Sequence, residues 1–403
     1  MTRHPLTGRR LAVLTLLLGG FTAFGPLSMD LYLPAFPGLA DDLAASQAAV
    51  QLTLTADVVG LVVGQLVLGP LSDARGRRRL LIGSTLVCAL ASVLCALAPT
   101  AGWLAAWRFL QGASGGGGIV LARAVAADIA SGVEAARLFS LFMTVSSVAP
   151  IIAPVLGGAL LAATGSWRPM FWLLAVTSLV LAAAAWRAIP ETLPADRRQP
   201  GGLRRTGRAF VDLARDRVFA GYALTVAFAY ASLFGYISGS SFALQDVYGL
   251  SATQFSIVFA ANAAGMIALG LLNARLVRRH AVRRLLVAGL ASSTVAAVAL
   301  VGAVLVGSDL PAVLVLLFVV VASRGLVSAN ATVLGVARAR AAGSASAVLG
   351  ALMFAGGVLV TPLLALGGEG SAVPMVLVVA GGAVAALLAT TLLARERAQV
   401  AAS

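Results

Sequence analysis

The sequence predicts an all-α membrane protein of twelve transmembrane helices, arranged as two six-helix bundles with both termini in the cytoplasm. The first observation is composition: of 403 residues, 60% are hydrophobic and only 11% are charged, far less charge than a soluble surface carries. The second is a succession of apolar stretches, each at least as long as the roughly 20 residues that a bilayer requires. The third is the distribution of arginine along the chain.

The apolar stretches divide into two sets of six. The first of them lacks a cleavage site and is too long for the apolar region of a signal peptide, so it is interpreted as helix 1. A polar segment rich in Arg and Pro, 190–217, separates the sets and predicts a bundle at 1–189, a cytoplasmic basic linker and a bundle at 218–403. The twelve predicted spans lie at about 11–34, 50–72, 79–98, 103–128, 137–161, 170–188, 218–243, 252–276, 283–307, 311–336, 342–366 and 372–394.

Arginine supplies all 29 basic residues and fixes the predicted topology. Twenty-five arginines fall on the side of the N-terminus and only Arg168 falls on the other, while Arg108, Arg123 and Arg324 lie inside predicted helices. This asymmetry is a strong positive-inside signal, and it indicates a multi-pass protein of the cytoplasmic membrane. The net charge of +14 therefore reflects topology, and we expect no nucleic-acid partner.

The connection between helices 2 and 3 is the most informative stretch of the chain. Gly69 and Pro70 loosen the end of an apolar helix, and Gly76 permits a sharp turn. Asp73 lies among four arginines, including Arg77, where its ion pairs can break when helices rock. The simpler alternative is a positive-inside anchor and nothing more.

Two further features extend this picture. Arg123 and Asp128, at the cytoplasmic end of helix 4, are expected to pair with Asp73 or Arg77 and to latch a cytoplasmic gate. A diverged copy of the connection, from Gly270 to His280 with Asn273 inside it, lies between helices 8 and 9. An internal repeat of this kind is typical of transporters built from two similar bundles.

The motifs resemble those of a known family. The pattern G-x-L-x-D-x-x-G-R-R around Asp73 resembles the loop between helices 2 and 3 of the major facilitator superfamily. More narrowly, Ser28–Ala35, Arg108–Gly112 and Ala149–Gly158 are similar to motifs of the Bcr/CflA family of drug/proton antiporters, which includes bicyclomycin and chloramphenicol exporters. The resemblance implies the major facilitator fold and proton-coupled efflux of drug-like small molecules by alternating access.

Three charged residues are candidates for proton coupling. Asp30 lies in the outer half of helix 1, roughly 10 Å from its middle at about 1.5 Å per residue. A carboxylate in low-dielectric surroundings binds a proton readily, as a coupling residue must, although a solvated vestibule carboxylate is the alternative. Arg108, at a similar depth in helix 4, is expected to hold Asp30 ionised until substrate or helix motion separates them, or else to form a structural ion pair.

Asp57 in helix 2 and Arg324 in helix 10 both depart from the family pattern. Intramembrane ionisable residues are functional candidates by default. Asp57 is interpreted as a second proton site or as a counter-charge, with Arg324 as the compensating base. Either residue is alternatively a selector for a charged substrate.

Helix 5 and the cavity are assigned from residue type together with the resemblance. Pro150, Pro154, Gly157 and Gly158 fall at one level of helix 5 and suit a bend that moves during alternating access, with a static kink as the alternative. A substrate cavity is expected to be apolar with a few polar contacts. Its expected lining residues are Tyr32, Gln111, Tyr230, Phe234, Tyr236, Asn262, Arg324 and Asn330.

Other functions find little support in the sequence. The chain has no phosphate-binding G-x-x-x-x-G-K-S/T loop, and Cys88 and Cys95 are interpreted as packing residues because no metal-ligand spacing exists. We therefore expect no cofactor, no metal and no enzymatic activity, with lipid, protons and a drug-like molecule as partners of a monomer. The remaining alternatives are an exporter of an endogenous metabolite or sugar, or a proton symporter, on the same scaffold.

Overall fold

The computed structural model describes residues 9–130, 132–194, 196, 198, 216–338, 342–366, 368 and 370–394. The regular elements within these ranges are helices. The chain divides into two compact units, Met1–Gly202 and Leu203–Ser403. Most of the expected linker at 190–217 lies outside the described residues.

The first unit carries its helices in the order that hydropathy predicts. A short turn after the first helix leads into a 3₁₀ helix, Leu33–Ala35, and then into a two-turn helix. Ser46 and Thr100 cap the helices that follow them, since each hydroxyl accepts a hydrogen bond from the backbone N–H three residues on. The helices are α1 (Arg9–Asp30), α2 (Phe36–Asp42), α3 (Gln47–Arg75), α4 (Arg77–Ala96), α5 (Ala101–Ile129), α6 (Gly132–Thr164) and α7 (Arg168–Ala188).

The second unit has two interrupted helices. Ser323 separates α11 from α12, and its hydroxyl donates to the Val319 carbonyl at 2.6 Å, a bond that bends helices. Pro362, which has no N–H, follows the break between α13 and α14. The helices are α8 (Arg217–Phe242), α9 (Ala252–Leu276), α10 (Val282–Leu305), α11 (Leu310–Ala322), α12 (Arg324–Val336), α13 (Ala342–Val358), α14 (Val360–Ala365) and α15 (Val373–Leu388).

Corresponding helices pack in the same way inside each unit. In the first unit, α3 packs on α5, α1 on α6, and α4 on both α5 and α7. In the second unit, α9 packs on α11 and α12, α8 on α13, and α10 on α11, α12 and α15. The internal repeat seen in the sequence therefore has a counterpart in the packing of the two units.

Eleven helical stretches in the described part of the chain are long and apolar enough to cross a membrane. The 29-residue helix α5 is not among them. It contains Arg108, Gln111, Arg123 and four consecutive glycines, which lower its hydropathy. The long helix of the first unit that does not meet this criterion is thus the one that carries Arg108.

Candidate functional site

Arg108 is the centre of a polar cluster inside the first unit. Its side chain is fully buried on α5, and Nη2 lies 3.1 Å from Oδ2 of Asp57 on α3. Nη1 donates to the Ser28 hydroxyl at 2.8 Å, and Nη2 donates to the Ser28 carbonyl at 3.2 Å. Nη1 also donates to Oε1 of Gln111, whose amide nitrogen donates to the Ser92 hydroxyl. A permanent charge is therefore held by α1, α3, α4 and α5 together.

Aromatic rings cover the same guanidinium. The carbon Cζ of Arg108 lies 4.6 Å from the ring centroid of Tyr32 and 5.6 Å from that of Phe171. The Tyr32 hydroxyl is 3.0 Å from the Thr53 hydroxyl, so this ring is fixed at both ends. Cation–π attraction favours such placements, and it is stronger where water is excluded.

Glycines bring the backbones of α3 and α5 into contact beside the ion pair. A Cβ at Gly112 would overlap the backbone carbonyl of Asp57, and a Cβ at Gly60 would overlap that of Phe109. Gly64 and Gly116 face the partner backbone in the same way. Small residues at such an interface permit close helix approach, and this approach brings Asp57 within reach of Arg108.

Asp30 does not take part in the ion pair, which corrects the expected pairing of Arg108 with Asp30. It is the last residue of α1 and is 5% exposed. Helix α1 contributes Ser28 to Arg108 instead, and side chains two positions apart differ by about 200° around a helix axis. Among the described residues, Arg108 is paired with Asp57, while Asp30 forms no ion pair.

The two carboxyl groups thus have different surroundings. The oxygen Oδ1 of Asp57 is buried and has no hydrogen-bond partner in the described part of the chain. The nitrogen Nε of Arg108 is likewise unpartnered there. The Asp57 carboxylate therefore has one oxygen engaged by the guanidinium and one buried oxygen without a hydrogen-bond partner in the described part of the chain.

A second charged cluster joins the ends of α3, α4 and α5. Arg77 Nη1 lies 2.6 Å from Oδ1 of Asp73, and Arg77 Nε lies 3.2 Å from Oδ2 of Asp128. The Ser72 hydroxyl accepts a hydrogen bond from Arg77, and the Thr192 hydroxyl donates to Asp128 at 2.8 Å. The sequence-predicted partners of Arg77 are thus brought together, and Thr192 is an additional member.

Glu191 lies against the sharp turn between α3 and α4. Gly76 has φ +100°, and a Cβ there would crowd Glu191 Oε2. The Glu191 carboxylate accepts hydrogen bonds from the backbone N–H groups of Arg77 at 2.8 Å and Arg78 at 3.3 Å, so it caps the start of α4. Partial burial opposes ionisation, but these bonds and one from the Leu193 N–H hold the pKa of Glu191 below its usual range.

Two of the expected gate residues take little part in the Arg77 cluster. Gly69 faces Val120, and an added Cβ would meet it at an ordinary 3.5 Å. Arg123 is exposed and has no ion-pair partner among the residues that the structure describes. A groove of about 840 Å³ lies beside this cluster and is bordered by Arg78, Trp186 and Glu191, but it contains no member of the Arg108 cluster.

The helix 5 motif lies within one continuous helix. Pro150 and Pro154 are both internal to α6. A Cβ at Gly157 would overlap the backbone carbonyl of Leu31, so this glycine lets α6 touch the chain between Asp30 and Tyr32. Gly158 is buried in the same turn. The motif therefore packs against the end of α1 that carries Asp30.

Arg324 occupies a different setting, inside the second unit. It is 2% exposed, and Nε, Nη1 and Nη2 have no hydrogen-bond partner among the described residues. With Tyr230 it borders a cavity of about 40 Å³. Asp57, its expected counter-charge, is instead paired with Arg108 in this structure.

The other expected cavity residues of this unit pack in pairs. Asn262 donates to the Tyr236 hydroxyl at 2.9 Å. Phe234 is fully buried, with its ring centroid 6.1 Å from that of Tyr230. Tyr32 and Gln111, expected in the same cavity, belong to the Arg108 cluster of the first unit.

Asn330 has a partner that the cavity assignment missed. Its amide nitrogen donates to Oδ1 of Asn273 at 2.8 Å, and Asn273 donates back to Oδ1 of Asn330 at 3.2 Å. Asn273 lies in the diverged copy of the connection between helices 2 and 3. The internal repeat could have identified this pair from the sequence, because the equivalent region of the first unit also joins polar residues from two helices.

Long apolar helices with charged groups buried inside each unit are typical of polytopic membrane transporters. The family model described as Major Facilitator Superfamily matches residues 16–362. The chain belongs to the Major Facilitator Superfamily.

Relatives agree with this assignment. An uncharacterized MFS-type transporter, YdgK of Bacillus subtilis (strain 168), is 38% identical over 98% of this chain and 98% of its own. A bicyclomycin resistance protein homolog of Haemophilus influenzae is 31% identical over 65% of this chain and 66% of its own. A crystal structure of a bacterial homolog of the human lysosomal transporter Spinster, inward-facing and unoccupied, aligns with TM-score 0.76 at 16% identity over 95% of this chain and 98% of that chain, which shows the fold alone.

Proposed function

We propose that this protein exports drug-like small molecules across the cytoplasmic membrane in exchange for protons, by alternating access. The observation that carries the proposal is the enclosed ion pair between Arg108 and Asp57. A second buried carboxyl group, that of Asp30, lies two residues after Ser28, whose hydroxyl accepts a hydrogen bond from Arg108. The similarity to a bicyclomycin resistance protein homolog supports a drug-like cargo. We also propose that the protein belongs to the Bcr/CflA family.

The ion pair suggests how proton and cargo compete. Arg108 keeps its charge at all physiological pH values. A proton on the free oxygen of Asp57 removes the negative charge that faces Arg108, while Ser28 and Gln111 continue to hold the guanidinium. The pair then carries a net charge of +1 instead of zero, and it interacts differently with a molecule in the pathway. Asp30, which has no ion-pair partner in the described residues, supplies the second carboxyl for proton exchange.

The Arg77 cluster is proposed as the cytoplasmic gate. It ties the ends of three helices through Asp73 and Asp128, and Glu191 anchors the chain after α7 to the start of α4. Ion pairs of partly exposed groups are weak individually. A network of this kind is therefore suited to opening and closing during transport.

The topology completes the proposal. We propose twelve spans, with α5 as the twelfth, because its 29 residues are sufficient to cross a bilayer even though its hydropathy is low. Both termini are then cytoplasmic, in accord with the arginine distribution. The working unit is a monomer that needs no cofactor or metal.

The test uses everted membrane vesicles with an imposed pH gradient and a pH-sensitive dye. A panel of phenicols, bicyclomycin-like compounds, cationic dyes and sugars is added to wild type, to Asp30→Asn and to Asp57→Asn. Asp41→Asn is the matched control, since it makes the same chemical change at an exposed position. We expect at least one drug to collapse the gradient in wild type and in the control but not in Asp30→Asn.

Other outcomes separate the parts of the proposal. Unchanged proton flux in Asp30→Asn removes Asp30 from the mechanism and leaves Asp57 as the carrier. If no drug moves protons, drug export fails, and export of an endogenous metabolite or sugar becomes the leading function. A proton symporter is distinguished by direction, because it raises accumulation of its substrate under an inward proton gradient, whereas an exporter lowers it.

A further inference from the structure

Arg324 is a buried cation with no ion-pair partner among the described residues of its own unit. The α-helices of the second unit, from Arg217 to Leu388, contain no Asp or Glu. All three guanidinium nitrogens of Arg324 lack a hydrogen-bond partner in the described part of the chain. Arginine remains charged even when buried, and an isolated buried charge is strongly unfavourable. The side chain is therefore available to an anion that the α-helices of this unit do not supply.

The cavity beside Arg324 combines one charged side chain with hydroxyl groups and apolar walls. Arg324, Ser328 and Thr332 recur every four residues on α12 and border it together, so they lie on one helix face. Ser328 is exposed whereas Arg324 is enclosed, which makes Arg324 the deep end of the cavity. Apolar side chains, including Val226 and Met353, form much of the remaining wall.

The volume of the cavity and the single charge of Arg324 limit the kinds of ligand that can bind. The cavity measures about 40 Å³, whereas one water needs roughly 10–15 Å³, so a group of about three heavy atoms fits. The other arginines of the described second unit lie outside the helix middles, at 217, 275, 278, 279, 283, 284 and 338. A single fixed charge matches a monoanion, and the planar guanidinium matches a carboxylate with two parallel hydrogen bonds.

We propose that the Arg324 cavity binds the carboxylate of the transported molecule, so that the cargo includes organic monoanions and zwitterions bearing one carboxylate. The carboxylate seats against Arg324, and the body of the molecule extends past Ser328. The assignment of this anion as cargo rests on the proposed export function, whereas the anion site itself does not.

The test measures binding to the purified full-length protein by calorimetry. The probes are two matched pairs at neutral pH, benzoate with benzamide and acetate with acetamide, in which only one member carries charge. The variants are Arg324→Gln, Arg324→Lys and, as a matched control, Arg278→Gln at an exposed position. The apparent melting temperature of each ligand-free variant is measured alongside.

We expect wild type and Arg278→Gln to bind benzoate at least about tenfold more tightly than benzamide. Arg324→Gln is expected to lose this preference. Arg324→Lys is expected to retain part of it, because Lys keeps the positive charge but lacks the two parallel N–H donors of the guanidinium. The ligand-free melting temperature of Arg324→Gln should equal or exceed that of wild type, because an unpaired buried charge has been removed.

Three results would overturn the inference: equal affinity for acid and amide in wild type, an unchanged preference in Arg324→Gln, or a lower melting temperature of ligand-free Arg324→Gln, which would indicate a structural partner. The proposed function fails separately. If benzoate binds through Arg324 but no compound moves protons in vesicles, the anion site is supported and antiport is rejected. If a neutral drug drives proton flux but the protein binds the carboxylates no more tightly than the amides, antiport is supported and the anion site is rejected.

Discussion

The Nη2 nitrogen of Arg108 lies 3.1 Å from Oδ2 of Asp57, and both side chains are at most 2% exposed. Neither residue has another oppositely charged partner in the described part of the chain. Each charge is therefore acceptable inside the unit mainly because the other is present.

Neutralising Asp57 alone is expected to destabilise the protein. Asp57→Asn leaves the Arg108 charge buried with only neutral acceptors, and removing one partner of a buried pair costs about 3–5 kcal/mol. The apparent melting temperature of purified protein reports the effect. Asp57→Asn combined with Arg108→Gln should recover much of the loss, and a double variant less stable than Asp57→Asn alone would contradict the interpretation.

Substituting Gly157 is expected to disturb the contact between α6 and the end of α1. In Gly157→Ala the new methyl group overlaps the Leu31 carbonyl, and overpacking of this kind costs about 1–3 kcal/mol. Thermal stability and proton flux should both fall. Gly83→Ala is the control, because this helical glycine has open space around its Cβ position and alanine favours helix. Equal behaviour of the two variants would exclude a close-packing role for Gly157.

Loss of the Arg77 side chain is expected to weaken the cluster at the ends of α3, α4 and α5. Arg77→Gln removes charged hydrogen bonds to Asp73 and Asp128, worth about 1.5–3 kcal/mol each when buried and less here because Asp73 is half exposed. Arg79→Gln, at an exposed position, should change stability by no more than about 0.5 kcal/mol.

A double variant identifies the coupling within this cluster. Arg77→Gln combined with Asp128→Asn should cost less than the sum of the two single variants, because residues in one network are not additive. Strict additivity in both melting temperature and proton flux would show that Arg77 and Asp128 act independently.

Glu191 gives a pH-dependent prediction. The folded state lowers the pKa of this carboxyl, so its stabilisation is fully present above its unfolded pKa of about 4.3 and disappears as pH falls through the lower folded value. Glu191→Gln should therefore be less stable than wild type at neutral pH, by about 0.5–2 kcal/mol as for other helix caps. The difference in melting temperature between the two proteins should vanish in acid, and a difference that persists there would assign it to lost packing.

Much of the fold was accessible from the sequence because bilayer spans are encoded locally. Hydropathy and arginine distribution need only a window of residues, so the long helices of both units follow the predicted stretches closely. The Asp73–Arg77 pair was accessible for the same reason, since the two residues are only four positions apart in the sequence. The diverged repeat also has its counterpart in the packing of the second unit.

The partner of Arg108 was less accessible, since it depends on helix rotation and on the contact between α3 and α5. Depth alone suggested Asp30, because it lies at a similar level to Arg108. The rotation of α1 turns Ser28 to the guanidinium instead, and glycines on both α3 and α5 bring Asp57 within reach. The Asn273–Asn330 pair likewise joins two helices whose facing sides are set by tertiary packing.

The glycine contacts of α3 and α5 have a mechanical consequence. Since backbone touches backbone at Gly60, Gly64, Gly112 and Gly116, we expect the two helices to move together. We expect thickening of the bilayer to tilt the two helices together, with little change in the distance between Asp57 and Arg108. On this expectation, the strength of the ion pair depends on the charge of Asp57 more than on the lipid environment.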